Sequence, residues 1–269
     1  MASPKQLPVS DKAFVAFAHL LADQAAKAAM PHFRKVIAVQ DKGSTEDYDP
    51  VTVADRNAER AMSKLIAKTY PDHGVIGEEF GSRNETARYR WVLDPVDGTR
   101  AFIIGQPMWG TLIGLMDGAN ASVGMMAQPF TQERFWGSAA GAFWRQEGRS
   151  TRRIKSRTGL KLSEAILTCT APQLVKGHED AFGRVSNAAR MTRFGGDCYN
   201  YCLLASGFVD IIIETGLKSY DVVALIPIIE RAGGVITTWD GAPATDGGRI
   251  VASGDKRIHD QVLKMLQKG

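Results

Sequence analysis

Cysteine is scarce in this chain. Its 269 residues contain three, Cys169, Cys198 and Cys202, an odd number without finger-like spacing, which argues for free thiols in a reducing compartment. Cys198 and Cys202 can share one helical face, but no histidine pair lies near them and metal binding there is not expected. Long apolar runs are missing as well. No uncharged stretch is long enough to cross a bilayer, and the opening MASPKQLPVSDK has no apolar core like that of a signal peptide. The expectation is a cytoplasmic protein with no membrane partner. A dominant charge is also absent, the formal net charge being +4. The densest basic run, residues 149–157 with Arg149, Arg152, Arg153, Lys155 and Arg157, reads as a solvated face. A contact for an anion or nucleic acid is the alternative. Repeats, linkers and low-complexity segments are not found.

What is present suits a folded α/β protein. With 44% hydrophobic and 23% charged residues, the chain can bury a core without disulfides or structural metals. Residues 11–39 read as helix, with Phe14, Phe17, Leu20 and Leu21 at helical spacing and Ser10 and Asp11 at the start. Residues 41–49 read as a polar loop, and a second helix is expected over 54–69, ending before Pro71. Val75-Ile76 and Trp91-Val92-Leu93 read as buried strands. Short apolar segments at 111–115, 122–127 and 135–139 suggest an antiparallel sheet. Beyond the basic run, strands at 166–170, 209–213 and 235–237 alternate with helices at 180–187, 199–205 and 222–232. That alternation implies layered α/β architecture, in two tightly joined halves of about 1–150 and 151–269.

Acids recur where apolar segments end: Asp55, the Glu78-Glu79 pair, Asp94 and Asp97, and Asp221. Strand ends and helix starts are where open α/β sheets place ligands. Singly, Asp55 and Asp221 also fit as helix caps, and Glu79 fits a solvent-facing position. The stretch WVLDPVDGT is more telling. Pro95 pushes Asp94 into an extended conformation, and a turn there can aim both carboxylates inward. Two such anions repel unless cations hold them or one stays protonated. The nearest basic residue in sequence is Arg100. Hard oxygen ligands suit Mg²⁺, Mn²⁺ or Ca²⁺, and the lack of a His/Cys cluster argues against zinc. Gly98-Thr99-Arg100-Ala101 reads as a helix opening whose N–H groups can take a phosphate. Together these features describe metal-assisted phosphoester hydrolysis.

These motifs resemble those of the inositol monophosphatase family of Mg²⁺-dependent phosphomonoesterases. Gly77-Glu78-Glu79 with residues 91–99, Tyr220-Asp221-Val222 with Ala232-Gly233-Gly234, and Val51-Thr52-Val53-Ala54-Asp55 occur in the family's order. The resemblance spans roughly residues 11–255. It implies a layered αβαβα fold, usually dimeric, holding two or three Mg²⁺ ions, with Mn²⁺ as a possible substitute and Li⁺ as an inhibitor. Glu78, Asp94, Asp97, Asp221 and the Val96 carbonyl would be the metal ligands. Thr99, hydrogen-bonded to Asp55, would activate water together with Glu78. Backbone N–H groups of Gly98 and Thr99 would hold the phosphate.

Substrate choice points to RFGGDCYNY, residues 193–201, and to Glu214. Inositol-specific members usually place Ser or Thr, then Ala, where this chain has Asp197 and Cys198. A neutral polyol gives no reason to desolvate a further carboxylate, whereas an amine would pair with it. The segment resembles the histidinol-phosphate phosphatase branch of the family. On the substrate side it implies Asp97, Gly196, Asp197, Cys198, Glu214 and Asp221. Asp197 also fits as the N-cap of the following helix. Gly195-Gly196 would let backbone approach the ligand. Trp109 and Tyr199 are candidate walls for an imidazole, although core packing is the commoner role for such aromatics.

The leading expectation is therefore an enzyme hydrolysing L-histidinol phosphate in histidine biosynthesis. Inositol 1-phosphate or broader sugar phosphates are the rival substrates. Hydrolysis of 3'-phosphoadenosine or fructose 1,6-bisphosphate would call for more arginine and lysine near the site. RNA or transcription-complex binding through the basic run is the alternative of another class, and nucleic acid is not the expected partner.

Overall fold

The computed structural model of this protein describes residues 11–43 and 50–268. Ser10 as a helix start and residues 44–49 of the loop expected over 41–49, Ser44 and Thr45 among them, lie outside them, while Asp41 of that stretch ends strand β1 (Val39–Asp41). In chain order the elements are α1 (Asp11–Ala29), β1 (Val39–Asp41), β2 (Pro50–Thr52), α2 (Val53–Thr69), β3 (Gly74–Gly77), β4 (Gly81–Arg83), β5 (Tyr89–Asp97) and α3 (Thr99–Ile103). There follow β6 (Gly110–Asp117), β7 (Asn120–Gln128), β8 (Glu133–Ser138), β9 (Gly141–Gln146), β10 (Arg152–Arg153) and β11 (Ile166–Cys169). The chain continues with α4 (Glu179–Ala188), β12 (Met191–Phe194), α5 (Asp197–Ala205), β13 (Ile211–Leu217), α6 (Ser219–Val222) and α7 (Leu225–Arg231). It ends with β14 (Val235–Thr238), β15 (Gly248–Ser253) and α8 (Lys256–Leu266).

Two sheets stack between helices. The eight-stranded sheet runs β10-β9-β8-β7-β6-β5-β3-β4, and the five-stranded one runs β12-β11-β13-β15-β14. Helices α1 and α2 cover the outer face of the first, and α4 and α8 cover that of the second. Between them lie α5 and α7, whose Leu204, Leu225, Ile228 and Ile229 join Met126 and Phe135 of one sheet to Ile212 and Ile250 of the other. This is the expected αβαβα layering, because each sheet has two apolar faces to cover. Helix α7 sits close on the first sheet because Gly137 has no side chain. A Cβ there would stand 2.2 Å from the Pro227 carbonyl carbon. Among the described residues no helix is long and apolar enough to cross a membrane.

Several boundaries differ from the sequence expectation. The first helix stops at Ala29 and passes through a 3₁₀ turn, Met30–His32, because Pro31 cannot continue the backbone ladder. The helix expected over 222–232 is broken into α6 and α7. Pro227 lacks the N–H that would reach the carbonyl of Val223, four residues earlier. Strands β9, β12 and β15 and helix α8 were not foreseen. Val209 precedes rather than joins β13. The basic run forms the short edge strand β10, and its charges lean on the protein: Arg152 lies over Trp144, Arg153 donates to the Ala140 carbonyl, and Arg157 clasps Asp210 with two hydrogen bonds.

Candidate active site

The two aspartates of WVLDPVDGT sit at the end of β5, and a bulge rather than a turn brings them to one face. Asp94 faces Leu112 of β6 and Asp97 faces Gly110, so three steps along β5 span two along β6. Without that extra residue, side chains three apart would point to opposite faces of the sheet. Pro95 donates nothing to the ladder, and its carbonyl accepts from Thr111 Oγ1 at 2.9 Å. The Asp94 carboxylate folds back to accept the Val96 N–H at 3.0 Å. One oxygen from each of Asp94, Asp97 and Asp221 can lie within 4.8 Å of the others.

Glu78 arrives because β3 runs parallel to β5 and ends at Gly77, opposite Leu93 and one residue before Asp94, with the Glu78 N–H donating to the Leu93 carbonyl. Asp221 enters from α6, where its Oδ2 accepts the Lys218 N–H at 2.6 Å. It is thus a capping side chain and a member of the cluster at once. Asp55 is the third residue of α2 and closes a capping box with Thr52. Its other oxygen meets Thr99 Oγ1 at 3.3 Å, while that hydroxyl also reaches the Val96 carbonyl at 2.9 Å. Gly98 has a left-handed backbone, φ 84°, and a Cβ there would lie 2.8 Å from the Met108 carbonyl and 3.2 Å from Asp197 Cβ. The left-handed backbone and these close approaches together require glycine at this point.

Across from this cluster stands the start of α5. Asp97 Oδ2 accepts the Cys198 N–H at 2.8 Å, spanning 101 positions of sequence. Asp97, not Asp197, therefore takes up the Cys198 amide in the first turn of that helix, and the cap expected of Asp197 is not made: the residue before α5 gives no side-chain cap. Gly195, Gly196 and Asp197 all have positive φ, and Asp197 does so at 43° despite its side chain. That conformation is costly for a non-glycine residue and marks a constrained position. Asp197 faces a cavity of about 400 Å³ that Asp97, Thr99, Gly196, Glu214 and Asp221 also line. Glu78, Asp94 and Val96 are not among the residues that line it.

Burial and mutual repulsion dominate the electrostatics. Asp94 and Asp97 are held well above the usual carboxylate range, by burial first and then by neighbouring acids. Burial lifts Glu78 to about 7 despite a nearby lysine, Asp221 to about 6, and Asp197 to about 7 with help from Glu214. Burial also raises Asp55 and Glu214. So many desolvated anions fit a site built for cations. The donors are all hard oxygens, as Mg²⁺ prefers, and the three free cysteines are buried.

Two sets of contacts escaped sequence reasoning. Lys42 Nζ bridges Glu78 Oε1 at 2.9 Å and Glu79 Oε1 at 2.8 Å, so a lysine does stand among these acids and Glu79 does not face solvent. Its 36-residue distance from Glu78 hid it. Glu59 on α2 takes the N–H groups of Glu79 and Phe80 at 2.7 and 3.0 Å. Its spacing of four from Asp55, on the buried face of one helix, was the available signal. The proposed aromatic walls are not there. Trp109 is packed against Phe33 and Phe102, and the Tyr199 hydroxyl is turned to Glu133 at 2.5 Å.

The pattern that defines the inositol monophosphatase family matches residues 11–269. Among curated proteins the chain is 41% identical to the bifunctional phosphatase IMPL2, chloroplastic, of Arabidopsis thaliana, over 98% of this chain and 78% of that protein. It is 34% identical to the histidinol-phosphatase of Mycobacterium tuberculosis, over 83% and 86% respectively. Among solved structures it superposes on an inositol monophosphatase from Zymomonas mobilis with a TM-score of 0.85 and 38% identity, covering 97% of this chain and 100% of that one. The chain thus has counterparts in sequence and in fold over nearly its whole length, and it is a phosphatase of the inositol monophosphatase family.

Proposed function

We propose that this phosphatase is Mg²⁺-dependent and hydrolyses L-histidinol phosphate to L-histidinol and phosphate. The observation that carries the substrate assignment is the placement of Asp197 and Glu214 on the same cavity as Asp97, Thr99 and Asp221. Two desolvated carboxylates beside a phosphate site favour an ester with a cationic end. The α-amine of histidinol phosphate meets that requirement, and Leu174, Leu217 and Leu225 offer its ring an apolar wall. A neutral polyol would leave the acids uncompensated.

In this reading Glu78, Asp94, Asp97, Asp221 and the Val96 carbonyl hold the metal. Bound cations would neutralise the ester oxygens and lower the pKa of water. The backbone N–H groups of Gly98 and Thr99 orient the phosphate. Asp55 keeps the Thr99 hydroxyl aimed, so that its oxygen can accept a hydrogen bond from one O–H of the attacking water while a carboxylate oxygen of Glu78 takes the single proton that is transferred. The bond from water oxygen to phosphorus forms as the ester P–O bond breaks, and the departing alkoxide takes its proton from solvent water. Asp221 apart, the first 150 residues or so supply this chemistry, and the remainder completes the substrate side.

Phosphate release measured with Mg²⁺ and with a chelator tests the metal requirement, and Asp97→Asn tests the clamp. The variant is expected to lose at least a hundredfold in turnover and to bind Mg²⁺ more weakly while keeping its fold. Near-wild-type turnover at saturating Mg²⁺ would remove the assignment.

A further inference from the structure

Glu214 is buried at the cavity wall with both carboxylate oxygens held. Oε1 accepts the Thr170 N–H at 2.8 Å, and Oε2 accepts the Tyr201 hydroxyl at 2.8 Å. The three residues come from different places in the fold: Thr170 directly after β11, Tyr201 in helix α5, and Glu214 in β13, which bulges directly after it. A carboxylate has about four lone-pair directions, so two remain for a ligand. Its two donors here are neutral, so they orient the charge without cancelling it. Tyr201 stands four residues after Asp197 on α5, hence on the same helical face, and both side chains reach the cavity. One short helix therefore delivers one anion and the phenol that aims the other.

We propose that Tyr201 is a positioning residue for substrate selection, its hydroxyl fixing Glu214 so that the cavity prefers phosphate esters bearing a cationic amine. This rests on the substrate reading above. A phenylalanine or methionine at 201 would fill the space but leave Glu214 held by the Thr170 N–H alone. A buried phenol needs an acceptor wherever it lies, and were that its whole role, its loss would affect stability and all substrates alike.

The test compares L-histidinol phosphate with its amine-free counterpart, 3-(imidazol-4-yl)propyl phosphate, in wild type, Tyr201→Phe, Glu214→Gln and the double variant. Wild type is expected to favour the amine ester. Tyr201→Phe should raise KM for that ester about tenfold with kcat within about threefold, and leave KM for the amine-free ester within about twofold. In the Glu214→Gln background the same change should alter KM for the amine ester less than about twofold, since no carboxylate is left to aim. Equal losses on both esters in Tyr201→Phe, or an undiminished effect in the Glu214→Gln background, would overturn the proposal while leaving the substrate reading intact. A wild type indifferent to the amine would overturn both.

Discussion

Replacing Glu59 by glutamine probes how the turn bearing Glu78 is held. Glu59 is 1% exposed and accepts two backbone N–H groups, from Glu79 and Phe80, one on each carboxylate oxygen. It also lies against Gly77, where a Cβ would stand 1.9 Å from Oε1. Glutamine keeps one acceptor oxygen but turns an amide donor toward the other N–H, which loses its partner. A hydrogen bond to a charged group is worth roughly 1.5–3 kcal/mol. Glu59→Gln should therefore lower unfolding free energy by about 1.5–3 kcal/mol, and Glu59→Ala, which strands both amides, by about twice that. Because the released turn carries Glu78, kcat at saturating Mg²⁺ should fall about tenfold or more, about 1.4 kcal/mol of transition-state stabilisation. Urea denaturation and steady-state kinetics on the same preparations separate the two effects. Unfolding free energy within about 0.5 kcal/mol of wild type, together with unchanged kcat, would refute the clasp.

Two further outcomes follow from other parts of the molecule. Asp197→Ser should raise KM for L-histidinol phosphate about tenfold, and for inositol 1-phosphate less; equal effects would refute pairing with an amine. His259 is buried between Thr237 and Ser253, with both ring nitrogens near their hydroxyls at 3.0 and 3.2 Å, and burial lowers its pKa to about 4. Its neutral form is the one folding favours, so its stabilisation is present above the unfolded value of about 6.5 and is lost as pH falls from there to about 4. Going from pH 8 to pH 5 should remove about 2 kcal/mol through this residue, read as the difference in urea midpoint shift between wild type and His259→Gln. An equal pH dependence in both would contradict it.

The acid pair of the site was legible because DPVDG packs its chemistry into five residues, and the carboxyl ends of β3 and β5 follow from their apolar runs. What stayed hidden depended on long-range contacts. Lys42 reaches Glu78 and Glu79 across 36 and 37 positions, and Asp97 reaches the Cys198 amide across 101; no local pattern encodes either. The bulge at Pro95-Val96 is a property of pairing with β6, so the single strand suggested a turn. Local readings also erred where proline overrode apolar spacing, at Pro31 and at Pro227. Trp109 and Tyr199 were placed by core packing and by Glu133, which spacing along the chain does not reveal.

The most direct measurement is kcat/KM for L-histidinol phosphate and for inositol 1-phosphate, with Mg²⁺, under identical conditions. The carboxylates Asp197 and Glu214 predict a preference for histidinol phosphate of about a hundredfold, roughly 2.7 kcal/mol of differential transition-state binding. Parity, or a preference for inositol 1-phosphate, would contradict the account and leave a phosphatase whose acidic wall serves another ester.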